Sequence, residues 1–245
     1  MPLQRPKTHF VPIMDAKEIA KDFNSFWLYF NTYALLHQDL QAVDEKDRPI
    51  DKGAFLQKIS DGGYLPVVLQ NEEGTKVFKL ARLPKGSSDN IRLLLMNYAN
   101  RELIYYRMEG KSAPAFDFTT ISGKHFTSSN TKGKIVLFKC WFINCVACVE
   151  EMPALNKLVE RYKDRNDILF ISLAMDPKAP LKQFLTKTRF DYETVPDQTE
   201  YMTNKLHVQM YPTHYVINKK GILVKVPPDE AELEKYLAKA VGEKP

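Results

Sequence analysis

The chain holds three cysteines, and two of them, Cys145 and Cys148, stand two residues apart. Thiols at that spacing can exchange with disulfides, contribute half of a metal site, or merely pack. Their surroundings bear on the choice. Upstream, Ile135-Val136-Leu137-Phe138 reads as a buried strand. Downstream, Leu155, Leu158, Val159 and Tyr162 recur at i, i+3, i+4 and i+7, the spacing of one helix face. The pair therefore sits where a strand turns into a helix. A cysteine in the first helical turn faces free backbone N–H groups and the positive end of the helix dipole, which favour its thiolate. Asn144, just before, is the expected N-cap. This arrangement suits thiol–disulfide exchange, in which one thiolate attacks and a second thiol resolves the mixed disulfide. Cys145 is the expected exposed nucleophile, and Cys148, one turn further in, the resolving thiol. Cys140, on the strand, reads as a small buried hydrophobe.

Bulk composition narrows the alternatives. At 245 residues the chain has room for two ordinary domains. A net charge of +5 is spread without a basic run of five or more, which argues against nucleic acid as partner. No stretch of 18 apolar residues is present to span a membrane. The start, Met1-Pro2-Leu3-Gln4-Arg5-Pro6, lacks the apolar core of a secretory signal, so the chain is either cytoplasmic or a mature or trimmed form. Three cysteines are too few for a disulfide scaffold or a four-cysteine zinc site.

Two segments differ in pattern. Residues 1–112 read as a small α+β unit. Helices are expected over 15–24, 51–60 and 90–107. The aromatic stretch 26–36 fits strand or helix. Strands 64–69 and 77–80 flank Asn71-Glu72-Glu73-Gly74, a hairpin signal, with Pro66 suggesting a sheet edge for the first. His9 and His37 are isolated and read as solvated or packing residues. Glu109 to Pro114 is the expected joint. Residues 113–245 then give an opening hairpin (115–119, 124–127), the strand 135–141, and a helix over 145–162 that Pro153 should kink. The strand 168–173 and short helices 181–187 and 202–207 follow. A hairpin (213–218, 222–226) and a last helix over 233–241 close the chain. That order predicts an α/β mixed sheet with helices on both faces.

The second segment resembles the thioredoxin fold. More narrowly it resembles the TlpA/ResA-like thiol–disulfide oxidoreductases, in their long, Bacteroidetes-type form with an extra N-terminal segment. Phe116-Asp117-Phe118 before Gly123 fits that family's opening hairpin. Trp141, Cys145, Cys148, Glu151 and Pro153 fit its W-x3-C-x2-C-x2-E-x-P. Tyr211-Pro212-Thr213 and Asn218-Lys219-Lys220-Gly221 fit its ending. The resemblance covers roughly residues 114–242 and leaves the first segment unmatched. The chain departs from many relatives at Asn144 and Ala147, and carries Lys139 where relatives often have Asn or Asp beneath the site.

The resemblance implies a protein-disulfide reductase without cofactor beyond its own Cys145–Cys148 disulfide, lying in the periplasm or cell envelope. Its partners would be disulfide-bearing proteins and a membrane electron donor, with the oligomeric state open. Glu151 is implied to move protons for the buried thiol, with a surface glutamate as the plain alternative. Trp141, Tyr211 and Pro212 are the expected substrate contacts. A cis bond before Pro212 would hold that loop against Cys145 and let the Tyr211 backbone pair with an extended segment. Lys139 alternates onto the Trp141 face. Near the dithiol its charge would favour the thiolate; alternatively only its stem is buried and its amine reaches solvent. His207 and His214 read as packing residues. A copper chaperone on the same fold is the alternative from another class, though such carriers use CxxxC and a distal His. An oxidase or isomerase direction stays open. A peroxidase would need P-x3-T/S-x2-C, absent before Cys145.

Overall fold

The computed structural model describes residues 9–242, so residues 1–6, read above for a signal, lie outside the described residues. The chain divides into two compact units, 1–107 and 108–245.

In the first unit, β1 (Val11–Pro12) leads to α1 (Ala16–Ile19) and α2 (Phe23–Thr32). The expected helix over 15–24 is thus two helices. Asp15 caps the first through Lys17 N and Glu18 N, and Asp22 starts the second by accepting from Ser25 N at 2.7 Å. The stretch 26–36 resolves as helix as far as Thr32. There follow β2 (Ala42–Val43), β3 (Pro49–Ile50), α3 (Lys52–Ser60), β4 (Tyr64–Gln70), β5 (Lys76–Arg82) and α4 (Asp89–Met108). The sheet order is β1-β4-β5-β2-β3. Contrary to the edge expected from Pro66, β4 has neighbours on both sides. Its β1 partner, however, pairs only with Leu69 and Gln70, so Pro66 needs no N–H on that side. Phe26, Phe30, Phe55, Leu56, Ile59, Leu65, Ile91 and Leu95 form one buried core from helices and sheet.

The second unit opens with β6 (Asp117–Thr119) and β7 (His125–Thr127), a two-stranded hairpin, then β8 (Ile135–Trp141). All seven residues of β8 are buried, as its apolar run requires. After it come α5 (Val146–Glu150), α6 (Met152–Arg161), β9 (Ile168–Ala174), α7 (Lys178–Leu185) and β10 (Glu193–Val195). A π-helical turn (Tyr201–Lys205) replaces the short helix expected over 202–207. Then β11 (Thr213–Ile217), β12 (Leu223–Lys225) and α8 (Glu230–Val241) close the chain. The sheet order is β10-β9-β8-β11-β12, with β8, β9 and β10 parallel and β11 and β12 antiparallel. This is the expected mixed α/β sheet.

Strand alternation gives its two faces different cover. Ile135 and Leu137 pack with Leu155 and Leu158 of α6 and Leu233 and Leu237 of α8. On the other face Phe138 meets Phe116 and Phe118 of the hairpin edge-on, at 5.2 and 5.8 Å between ring centroids, and Phe118 meets Tyr201. The expected joint is part of this unit. Gly110 N donates to Leu223 O, Leu223 N to Lys111 O, and Ala113 N to Gly221 O, so the segment lies along β12.

Candidate active site

Cys145 and Cys148 are joined as a disulfide with an S–S length of 2.05 Å. Cys145 is itself the N-cap of α5, and its Sγ accepts from Cys148 N at 3.2 Å. This corrects two expectations. Asn144 lies one residue outside the helix, is exposed, and makes no capping bond; the cap is the sulfur. Cys145 is also only 8 % exposed rather than open, since it packs in one cluster with Trp141, Met152 and Leu181. Cys148 is fully buried, so an attacking sulfur reaches the pair from the Cys145 side. The preceding loop is anchored by Ile143 N, which donates to Asp176 Oδ2 at 2.8 Å.

The expected single helix over 145–162 is interrupted. Pro153 has no N–H, and its ring would meet the carbonyl of Val149, so α5 ends at Glu150 and α6 begins at Met152. Glu151 occupies the break, largely buried. One oxygen accepts from Lys139 Nζ at 2.6 Å, and His214 Nε2 stands 3.2 Å from the same carboxylate. Lys139 Nζ also donates to Cys148 O at 2.6 Å and stands 5.2 Å from the Phe190 ring centroid. The lysine is fully buried, so its amine does not reach solvent; it is tied to the backbone of the buried cysteine.

Register explains this meeting. His214 on β11 is paired with Lys139 on β8, Lys139 with Ser172 on β9, and Ser172 with Thr194 on β10. Four buried polar side chains thus cross the sheet in one row. Ser172 and Thr194 bond each other at 2.9 Å. Lys139 and His214 share Glu151 above them. Burial pushes the Glu151 carboxyl up, but the His214 hydrogen bond and the charges of His214 and Lys139 outweigh it and hold the group below the usual carboxylate range. Burial draws the Lys139 amine below its ordinary value, against the pull of Glu151. Burial alone raises the Cys140 thiol, in keeping with a packing role.

Two further placements bear on substrate contact. Trp141, expected at the surface of the site, is fully buried against Phe184 and Phe190 because it ends the central strand; it cannot touch a substrate. Tyr211 and Pro212 are half-buried, joined by a cis peptide bond, and Tyr211 stacks edge-on against Phe142 at 5.4 Å. Val146, 70 % exposed, and Met210 add apolar surface. His207 is exposed rather than packed. His214 was missed as a site residue. Its signal is an ionisable group inside the apolar run Thr213 to Ile217, matched by Lys139 inside the apolar β8. Among the described residues no group of three or more His, Cys, Asp or Glu is arranged to hold a metal ion.

Known proteins resemble this unit. Residues 110–226 match the AhpC/TSA family. The thioredoxin-like protein YneN of Bacillus subtilis (strain 168) is 28 % identical over 132 residues, covering 53 % of this chain and 76 % of the relative. The thiol-disulfide oxidoreductase ResA of Bacillus thuringiensis (strain Al Hakam) is 29 % identical over 133 residues, 53 % of this chain and 77 % of its own. A solution structure from Bacteroides thetaiotaomicron, titled a candidate protein disulfide isomerase, aligns with a TM-score of 0.50 and 26 % identity over 55 % of this chain and 91 % of that one. The second unit has a thioredoxin-like fold and is similar to the TlpA/ResA-like proteins. Within this unit the disulfide, the Glu151 break and the cis-proline segment all belong to the matched region, whereas residues 1–109 lie outside it.

Proposed function

We propose that the chain is a thiol–disulfide oxidoreductase that reduces disulfides of partner proteins outside the cytoplasm. The observation that carries this reading is the Cys145–Cys148 disulfide at a helix start, where Lys139 donates to the backbone carbonyl of the buried Cys148 and to Glu151. The names of the relatives YneN and ResA support the same class.

In the reduced protein the Cys145 thiolate attacks one sulfur of a substrate disulfide. The substrate's S–S bond breaks, its other sulfur leaves as a thiolate and takes a proton, and Cys145 is left in a mixed disulfide. Cys148 gives its proton to Glu151 and attacks Cys145 Sγ. The second substrate sulfur departs with the electron pair, and the protein is left with the disulfide described above. Tyr211, Pro212 and the exposed Val146 form the wall along which an extended, apolar substrate segment lies. No further cofactor takes part. A donor at the membrane returns the two electrons. Among the described residues no helix is long and apolar enough to cross a membrane.

Reduction of insulin disulfides tests the reading. Cys145→Ser should abolish turnover, while Cys148→Ser should accumulate a mixed disulfide visible by mass spectrometry. A Cys145–Cys148 midpoint potential well above about −180 mV, the range of oxidising isomerases, would overturn the reductase direction.

A further inference from the structure

We propose that His214 is a positioning residue of the exchange reaction: it holds the Glu151 carboxylate ionised and aimed, and so sets the pH below which Cys148 cannot hand over its proton. The inference deepens the exchange reading and rests on it.

The geometry carries it. In the polar row across the sheet, Ser172 and Thr194 satisfy one another. Lys139 and His214, neighbours in register and both fully buried, turn to one carboxylate. Lys139 approaches it from β8 and His214 from β11, two residues beyond Pro212. A carboxylate bonded from one side can swing; bonded by donors from two strands it is fixed. A carboxylate only accepts, so His214 Nε2 carries the proton of that bond. Its Nδ1 is buried and meets no partner among the described residues, so Glu151 is the ring's one polar attachment there.

The proton balance gives the bond its purpose. In the resolving step the S–H bond of Cys148 breaks and its proton passes to Glu151. One negative charge appears on sulfur as one disappears from the carboxylate. The buried site keeps its net charge, and no uncompensated ion is left away from water. The step requires Glu151 to be ionised beforehand. Burial opposes that, and the two donors restore it. The other ionisable groups around the cluster are Cys148 on α5, Tyr192 before β10, and Glu230 on α8, which acts on Lys139. Burial raises the Tyr192 hydroxyl, so it stays neutral through the acid range.

The test follows the resolving step alone. Reduced protein mixed with 5,5′-dithiobis(2-nitrobenzoate) in stopped flow releases one thionitrobenzoate as Cys145 is capped and a second as Cys148 resolves it. The second phase, read from pH 2.5 to 7, should show an acid limb below the usual carboxylate range. His214→Phe should move that limb up by about one pH unit, the tenfold change in proton affinity expected for losing a hydrogen bond to a charged group. His214→Gln, whose amide can still donate, should return it towards the wild-type position. In a Glu151→Gln background the limb should be absent and His214→Phe should add nothing. Should the Phe variant not fold, the imidazole signals of His214 in the unmodified protein must follow the limb by NMR. A limb unmoved in His214→Phe, the same displacement in the Glu151→Gln background, or His214 signals that ignore the limb would overturn the proposal. Absence of any second phase in the unmodified protein would instead overturn the exchange reading.

Discussion

Lys139 and Glu151 place a charge pair where the core of a sheet ordinarily holds apolar side chains, and removing one partner strands the other. Glu151→Leu should therefore destabilise the protein by about 3 kcal/mol or more, and the double variant with Lys139→Met should recover much of that, as urea midpoints would reveal. The pH dependence has a definite sign. The Glu151 carboxyl is depressed in the folded state. Its stabilising contribution is thus present above the unfolded carboxylate value of about 4.3 and is lost as pH falls through the lower folded value. The stability difference between wild type and Glu151→Gln should shrink over that acid window. Lys139→Met alone should raise the Cys145 thiol pKa, since the cation lies behind the redox helix; an unchanged thiolate titration at 240 nm would remove Lys139 from the tuning of the dithiol. Cys145, Cys148, Glu151 and Lys139 were legible because helix spacing and strand alternation are local. His214 was not, because its meeting with Glu151 depends on the β8–β11 register, which pairs residues 75 positions apart on strands with two others, β9 and β10, between them in the chain.

The break between α5 and α6 is the element that carries Glu151 to the sheet. Pro153→Ala restores an N–H that can bond the Val149 carbonyl, so the two helices should fuse and draw Glu151 off its partners. The expected outcome is a slower resolving step, about tenfold or more, in a protein whose circular dichroism shows no loss of helix. The sequence pattern called for a kink here, and Pro153 delivered one. It did not reveal that Cys145 caps its own helix, because a sulfur acceptor is not among the usual capping types and Asn144 beside it is. At the far end of the unit α8 is held by Asp229, which accepts from Glu232 N at 2.9 Å, and Gly242 follows in the left-handed conformation at φ 81°. Asp229→Ala should cost about 1 kcal/mol of stability without touching exchange.

At the scale of the molecule, each unit has its own sheet and its own buried core. Residues 108–245 alone should fold and reduce insulin at the rate of the full chain, and a fragment that folds but has lost activity would give the first unit a part in the chemistry. The sequence pattern divides the chain at 112/113, between the helical run of α4 and the opening hairpin, whereas the compact units divide at 107/108. The place of residues 109–113 was not legible, since a short polar joint carries no periodicity to announce a pairing partner. That pairing has a consequence for how such a fragment should begin. Strand edges with unmet N–H and C=O groups act as templates on which a second molecule can add its own strand. Gly110, Lys111 and Ala113 occupy that edge of β12. A fragment starting after Pro114 would uncover it, and should self-associate in a concentration-dependent way that one starting at Met108 does not, as sedimentation at several concentrations would show.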